Sequence, residues 1–234
     1  MKTPDPDYKK FDHDAHARTR PPEDFWGQIR RTVNGQPVPQ AQIDMILTAV
    51  RDALHLGTDD TLLDLACGNG ALSSALFDQC HAYLGVDFSE YLITVAKQYF
   101  EVPPRYLFLL QGAPEYAASE PDSAQFTKAL CYGSFSYFPA NSAERLLRDL
   151  HERFIGIDTV FIGNLPDKDR AADFYKTEQP NAAELVDHAS QIGIWRTRDE
   201  FAELAAAAGW RASFSVMPSA FYASYYRYDV TLLR

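Results

Sequence analysis

The sequence predicts an α/β protein built on a doubly wound, mostly parallel sheet. Three observations predict it. Leu62-Leu63-Asp64-Leu65-Ala66 is a short apolar run that enters a glycine turn, Cys67-Gly68-Asn69-Gly70, followed by a helical pattern from Ala71 to Gln79. A second run, Ala82-Tyr83-Leu84-Gly85-Val86, ends in Asp87, 17 residues beyond Gly70. Strand-length apolar runs then alternate with helical periodicity to the C-terminus, as in repeated βαβ units. The turn needs its glycines because the backbone must bend sharply and admit a ligand closely, which a Cβ would obstruct. In such a unit the spacing puts the Asp87 carboxylate at the neighbouring strand tip, facing a ribose.

Composition narrows the class. The 234 residues are 46% hydrophobic and 13% aromatic, enough for one buried core or one domain with a cap. No run reaches the roughly 18 apolar residues of a membrane span. Met1 to Asp7 lacks the apolar centre of a signal peptide. The net charge of −10 disfavours a nucleic-acid partner, because phosphate binding needs a basic surface. Three cysteines, Cys67, Cys80 and Cys131, have no framework spacing, and a reducing cytoplasm is the simplest location.

The motifs resemble the class I S-adenosylmethionine-dependent methyltransferases. Their first motif is an acidic residue, three residues, then Gly-x-Gly, matched by Asp64, Leu65-Ala66-Cys67 and Gly68-Asn69-Gly70. Their second acidic position falls on Asp87, followed by Phe88-Ser89. The likeness runs from about Thr61 to Arg234. It implies a Rossmann-like sheet of seven strands with the last antiparallel, preceded by an N-terminal helical cap. The expected division is 1–38 for the arm and cap and 39–234 for the cofactor-binding domain. A nicotinamide dinucleotide site competes, but its Gly-x-Gly-x-x-Gly/Ala fingerprint would have its third small residue at Ser73. A carboxylate at Asp64 suits a cationic amino-acid end and would repel a pyrophosphate.

Taken in order, residues 1–24 are polar and broken by Pro4, Pro6, Pro21 and Pro22. They read as a poorly ordered arm or as a lid over the cofactor. His13 and His16 lack a third ligand nearby, so no metal is expected. Phe25-Trp26 beside Arg30-Arg31 either anchors the arm or walls the methionine end of the cofactor. Ile43, Ile46, Leu47, Val50, Ala53 and Leu54 mark a helical face stopped by Gly57. Ser89 is an N-cap for a helix to Phe100. Tyr106 to Leu110 is continuously apolar, as a fully buried parallel strand should be. Phe126 to Cys131 and Thr159 to Ile162 read as the fourth and fifth strands. Asn141 with Glu144, and Thr197 with Glu200, read as capping boxes. Trp210 to Met217 and Tyr228 to Leu233 form the closing strand pair.

The resemblance implies S-adenosylmethionine as methyl donor and S-adenosylhomocysteine as product. The cofactor residues it implies are Trp26, Asp64, Ala66, Cys67, Gly68, Gly70, Asp87, Phe88, Gly112, Ala113 and Cys131. The loop after the fourth strand has no Asn/Asp-Pro-Pro-Tyr/Phe-like sequence, which also disfavours a nucleic-acid base as acceptor. Metal-assisted catechol-type methylation would need a carboxylate there as well as Asp167 and Asp169, and there is none. A small polar acceptor is expected, with O-methylation of a sugar or secondary metabolite first and N-methylation second. Tyr132, Ser134, Asn164, Arg196, Tyr222 and Tyr225 are expected to bind it. His188, in the polar loop Asp187-His188-Ala189-Ser190, is the expected general base, with Tyr132 as a second candidate. A monomer or homodimer is expected. The alternatives are a cofactor-binding regulator without turnover, a nicotinamide-dependent oxidoreductase, and a protein methyltransferase acting on a basic peptide.

Overall fold

A computed structural model describes residues 12–176 and 181–234. Residues 1–11 of the expected arm lie outside the described residues. The seven sheet strands are β1 (Thr61–Leu65), β2 (Ala82–Asp87), β3 (Tyr106–Leu110), β4 (Lys128–Tyr132), β5 (Thr159–Pro166), β6 (Arg211–Ser215) and β7 (Arg227–Leu233). Their spatial order is β3-β2-β1-β4-β5-β7-β6. The first five strands pair in parallel, and β7 runs antiparallel between β5 and β6. The strand order therefore reverses at β1 and β4, where a crevice opens beyond the strand tips.

Helices cover both faces. In chain order they are α1 (His13–Arg18), α2 (Phe25–Gln28), α3 (Gln40–Leu54), α4 (Glu90–Phe100), α5 (Ala113–Ser119), α6 (Ala140–Arg153), α7 (Ala171–Tyr175) and α8 (Arg198–Ala207). The period-two alternation of the strands sorts the core into two layers. Leu63, Leu65, Ala129, Cys131, Val160 and Ile162 join Leu146, Leu147 and Leu150 of α6 and Phe201 of α8. Leu62, Leu130, Tyr132 and Phe161 join Ile43, Ile46, Val50 and Leu54 of α3. Among the described residues no helix is long and apolar enough to cross a membrane.

Two helix caps form as the local sequence predicts. Ser89 caps α4 through Leu92 N, and Thr197 and Glu200 form the reciprocal box at α8. Other readings need correction. Asn141 and Glu144 make no box: α6 starts at Ala140, after Pro139, so Asn141 is already helical and Glu144 pairs with Arg148. The α3 helix is closed by His55 in the left-handed conformation, not by Gly57. The segment after the glycine turn is a 3-10 helix, Ser73–Gln79. Its first two residues turn their hydroxyls to Asp64 and to the Ala71 carbonyl, in competition with regular helical pairing. Strand β3 is not fully buried, because it is the sheet edge: Phe108 points inward while Leu107, Leu109 and Leu110 stay exposed.

The cap formed by α1 and α2 is tied to the glycine turn and to α4. Asn69, wholly buried, donates to Phe25 O at 2.8 Å and to Gln28 Oε1 at 2.7 Å. Tyr91 donates to Arg20 O at 2.6 Å, and Ser89 to the Asp14 carboxylate. Phe25 packs against Tyr99 and Phe100. The turn itself tolerates no side chain at Gly70. There φ is +74°, and a Cβ would stand 2.6 Å from the Phe108 ring. Gly70→Ala should therefore lower stability by about 2–4 kcal/mol in chemical denaturation.

Candidate active site

The crevice at the β1–β4 reversal is a cavity of about 640 Å³. The tips of β1, β2, β4 and β5 form its floor, and the segment from Gln28 to Thr32 forms one wall. Two sides of opposite charge can be distinguished.

The acidic side is built on β1 and β2. Asp87 is almost fully buried, and its two oxygens accept Gly68 N–H and Ser89 N–H, each at 2.9 Å. A carboxylate offers about four acceptor positions, so capacity remains toward the cavity. Burial raises its pKa, against the two backbone donors. Asp64 is equally buried and accepts the hydroxyls of Ser73 and of Tyr83, the latter at 3.0 Å. Burial pushes its pKa up to about 6. Ala66 and Gly68 take left-handed backbone angles of +58° and +60°, and both line the cavity with Cys67. Phe88, 63% exposed, and Gly112 to Glu115 complete this side.

The basic side lies between β4, β5 and β7. Arg31 is buried, with its guanidinium 4.6 Å from the centre of the Tyr132 ring. Arg227 donates to the Asn164 carbonyl and stacks 4.7 Å from the Tyr226 ring. Asn164 sits at an irregularity in β5 with φ of +66°, and its N–H donates to Asp229 Oδ1 at 2.6 Å. That bulge turns its side chain toward the cavity. Tyr137, Phe174, Tyr222 and Tyr226 supply aromatic surface.

The structure brings together Asp64, Ala66, Cys67, Gly68, Asp87, Phe88, Gly112 and Ala113 on one side, and Tyr132, Ser134, Asn164 and Tyr222 on the other. Six expected residues stand off the cavity wall. Trp26 packs into the apolar layer over α3, Gly70 lies behind the turn, and Cys131 faces the opposite layer under α6. Arg196 lies over the Phe135 ring, and Tyr225 is 43% exposed near Lys176. His188 is exposed, 3.7 Å from Asp187, and its loop reaches the cavity only at Gln191 and Ile192. It is thus not positioned as a base. Tyr132 is on the wall, but burial holds its phenol protonated, so it suits donation rather than proton removal. The histidine on the wall is His13, whose pKa burial and Arg30 lower to about 4.

The cavity wall also carries Arg31, Ser89, Tyr137, Tyr226 and Arg227. The sequence marks Arg31 only as a neighbour of Phe25-Trp26, Ser89 as a helix cap, Tyr137 as part of the loop after the fourth strand and Tyr226 as part of a tyrosine cluster, and it gives no sign of Arg227. Among the described residues no cluster of three or more metal-ligating side chains occurs.

Residues 62–154 match the family model described as "Methyltransferase domain". A 77-residue stretch is 34% identical to "Uncharacterized methyltransferase C70.08c" of Schizosaccharomyces pombe, over 33% of this chain and 28% of that protein. The match thus spans little more than a quarter of the relative's length. Among solved structures, the DhpI-SAM-HEP complex superposes with a TM-score of 0.64 at 17% identity, over 95% of this chain and 94% of that one. A putative S-adenosylmethionine dependent methyltransferase from Listeria monocytogenes gives 0.63 at 13%, over 84% and 99%. Magnesium protoporphyrin IX methyltransferase of Synechocystis PCC 6803, with bound SAH, gives 0.55 at 16%, over 83% of each chain. Residues 62–154 are therefore similar to a methyltransferase domain, and the chain has the fold of these S-adenosylmethionine-dependent methyltransferase structures.

The raised pKa of Asp64 has a consequence for stability. Below about pH 4 the carboxyl is protonated folded and unfolded, and the residue exerts no pH dependence. Between its unfolded value near 3.8 and its folded value of about 6, only the folded chain keeps the proton. Stability should fall as pH rises through that window, by on the order of 3 kcal/mol for this group. Asp64→Asn should flatten that part of the profile in urea unfolding from pH 3.5 to 7.

Proposed function

We propose that this chain transfers the methyl group of S-adenosylmethionine to a small polar acceptor bound in the same cavity. The observation that carries the reading is the Asp64–glycine turn–Asp87 arrangement at the strand-order reversal, with both carboxylates buried on the cavity wall. The residues present fit the donor. Asp64 and Arg31 face its charged amino-acid end, the acidic residue toward the ammonium and the guanidinium toward the carboxylate. Gly68 keeps the backbone close, since a Cβ there would already meet Ile29 at 3.1 Å. Asp87 accepts ribose hydroxyls with the capacity left by Gly68 and Ser89. Phe88 offers an exposed ring to the adenine face, and Gly112 and Ala113 offer backbone groups.

The bound donor supplies a methyl group already activated by a sulfonium. The chain's task is alignment, exclusion of water and, for an acceptor that carries a proton on the attacking atom, release of that proton from the cavity. Tyr132 donates a hydrogen bond from its protonated phenol. Ser134 and Asn164 orient the acceptor, and Tyr137, Tyr222 and Tyr226 close its flank. An oxygen acceptor, on a sugar or secondary metabolite, is the first reading and a nitrogen the second. The acidic net charge supports a small molecule over a nucleic acid.

Calorimetric titration with S-adenosylhomocysteine should give about one site per chain, with no binding of a nicotinamide dinucleotide. The reverse result would sink the reaction type. Asp87→Asn should weaken S-adenosylhomocysteine at least tenfold, with part of the loss coming through the loosened Gly68 N–H. His188→Ala should leave turnover within about twofold of the parent; a loss near 10²-fold would restore it as the base.

A further inference from the structure

The basic side of the cavity holds more positive charge than the methyl donor can balance. Arg31 and Arg227 both line it, and among the described residues neither forms an ion pair with a carboxylate. Arg31 is 7% exposed, and its Nε has no hydrogen-bond partner. Arg227 has a backbone carbonyl and the face of Tyr226, and Asp229 acts on it only from beyond ion-pair reach. A guanidinium that is buried or half-buried with no carboxylate in ion-pair reach is costly, and an anion placed against it lowers that cost.

Donors converge around one spot. Arg31 Nη2 and Asn164 Nδ2 both approach Gly133, at 3.8 and 3.6 Å from where a Cβ would stand. The Tyr132 hydroxyl, on the neighbouring residue, is buried and unpartnered. Asn164 Oδ1 is also buried and unpartnered, so the same spot has one acceptor for a hydroxyl.

The donor molecule has a single carboxylate. Arg31 and Asp64 line the same cavity, and the reading above sets them both at the donor's amino-acid end. With Arg31 assigned to that carboxylate, Arg227, which is tied to Asn164 at the start of β7, is left for a second anion. We propose that the acceptor carries an anionic oxygen group, a carboxylate or a phosphoryl, held by Arg227 with Tyr132, and a hydroxyl taken by Asn164 Oδ1. A sugar acid, a hydroxy acid or a sugar phosphate has this chemistry; a neutral sugar has not. The inference rests on the methyl-transfer reading above for its view of Arg31.

The test is calorimetric titration of the purified protein, with and without S-adenosylhomocysteine. The probes are glucuronate, glucose 6-phosphate, inorganic phosphate and glucose. An anionic probe should bind at least tenfold more tightly than glucose, and the two sugar anions separate carboxylate from phosphoryl recognition. Arg227→Gln should remove that preference while leaving S-adenosylhomocysteine affinity within about threefold, and Arg227→Lys should keep most of it. Arg31→Gln should instead weaken S-adenosylhomocysteine. Glucose binding as well as the anions, anion binding indifferent to Arg227→Gln, or no anion binding at all would overturn the proposal. Failure of S-adenosylhomocysteine to bind would overturn the methyl-transfer reading instead, and the anion titrations of the unloaded protein would still decide this one.

Discussion

The site depends on what the Asp87 carboxylate does with its two oxygens. One takes Gly68 N–H and the other Ser89 N–H, so the glycine turn after β1 and the start of α4 are held in one geometry. Ser89 in turn caps α4 and donates to Asp14 of the cap. A buried carboxylate would be unfavourable without such donors, and charge-assisted bonds to backbone N–H groups are among the strongest a protein makes. Because those bonds also set the loop's shape, the carboxylate proposed to bind the ribose is the one that fixes the loop architecture. The second clasp, Asn69 with Phe25 O and Gln28 Oε1, closes the cap over the same turn.

Charge is segregated within the cavity. Asp64 and Asp87 stand on the β1–β2 side, Arg31 and Arg227 on the β4–β7 side. A zwitterionic amino-acid end fits across such a field, with each charged group facing its opposite. The chain's overall charge of −10 does not describe this interior arrangement. Long-range attraction of a partner follows the whole surface, whereas a small ligand inside a cavity responds to the few groups around it. An acidic protein can therefore present a basic recognition patch inside a pocket.

Errors and successes in reading the sequence divide by the range of the interaction. The Thr197–Glu200 box and the Ser89 cap formed as expected, because each involves residues within one turn. Asn141 and Glu144 have the right identities, but Pro139 started the helix too early for them. Tyr106 to Leu110 has the composition of a central strand, yet lies at the edge; composition does not state how many neighbours a strand has. His188 sits in a polar loop of the kind that suits a base, and that loop leaves the imidazole exposed.

By itself the sequence determined the strand–glycine turn–helix–strand unit, its two carboxylates and the sequence of α/β elements. These follow from local periodicity, from backbone angles that glycine accepts, and from spacing that a short connection cannot stretch. Only the tertiary structure decided which residues face the cavity from β4, β5, β7 and the cap. Arg31, Asn164 and Arg227 are far apart in the chain, and they meet because β7 inserts antiparallel beside β5 and the cap folds back over Gly68. That meeting is set by long-range strand pairing and by the bulge at Asn164, neither of which leaves a periodic trace in the sequence.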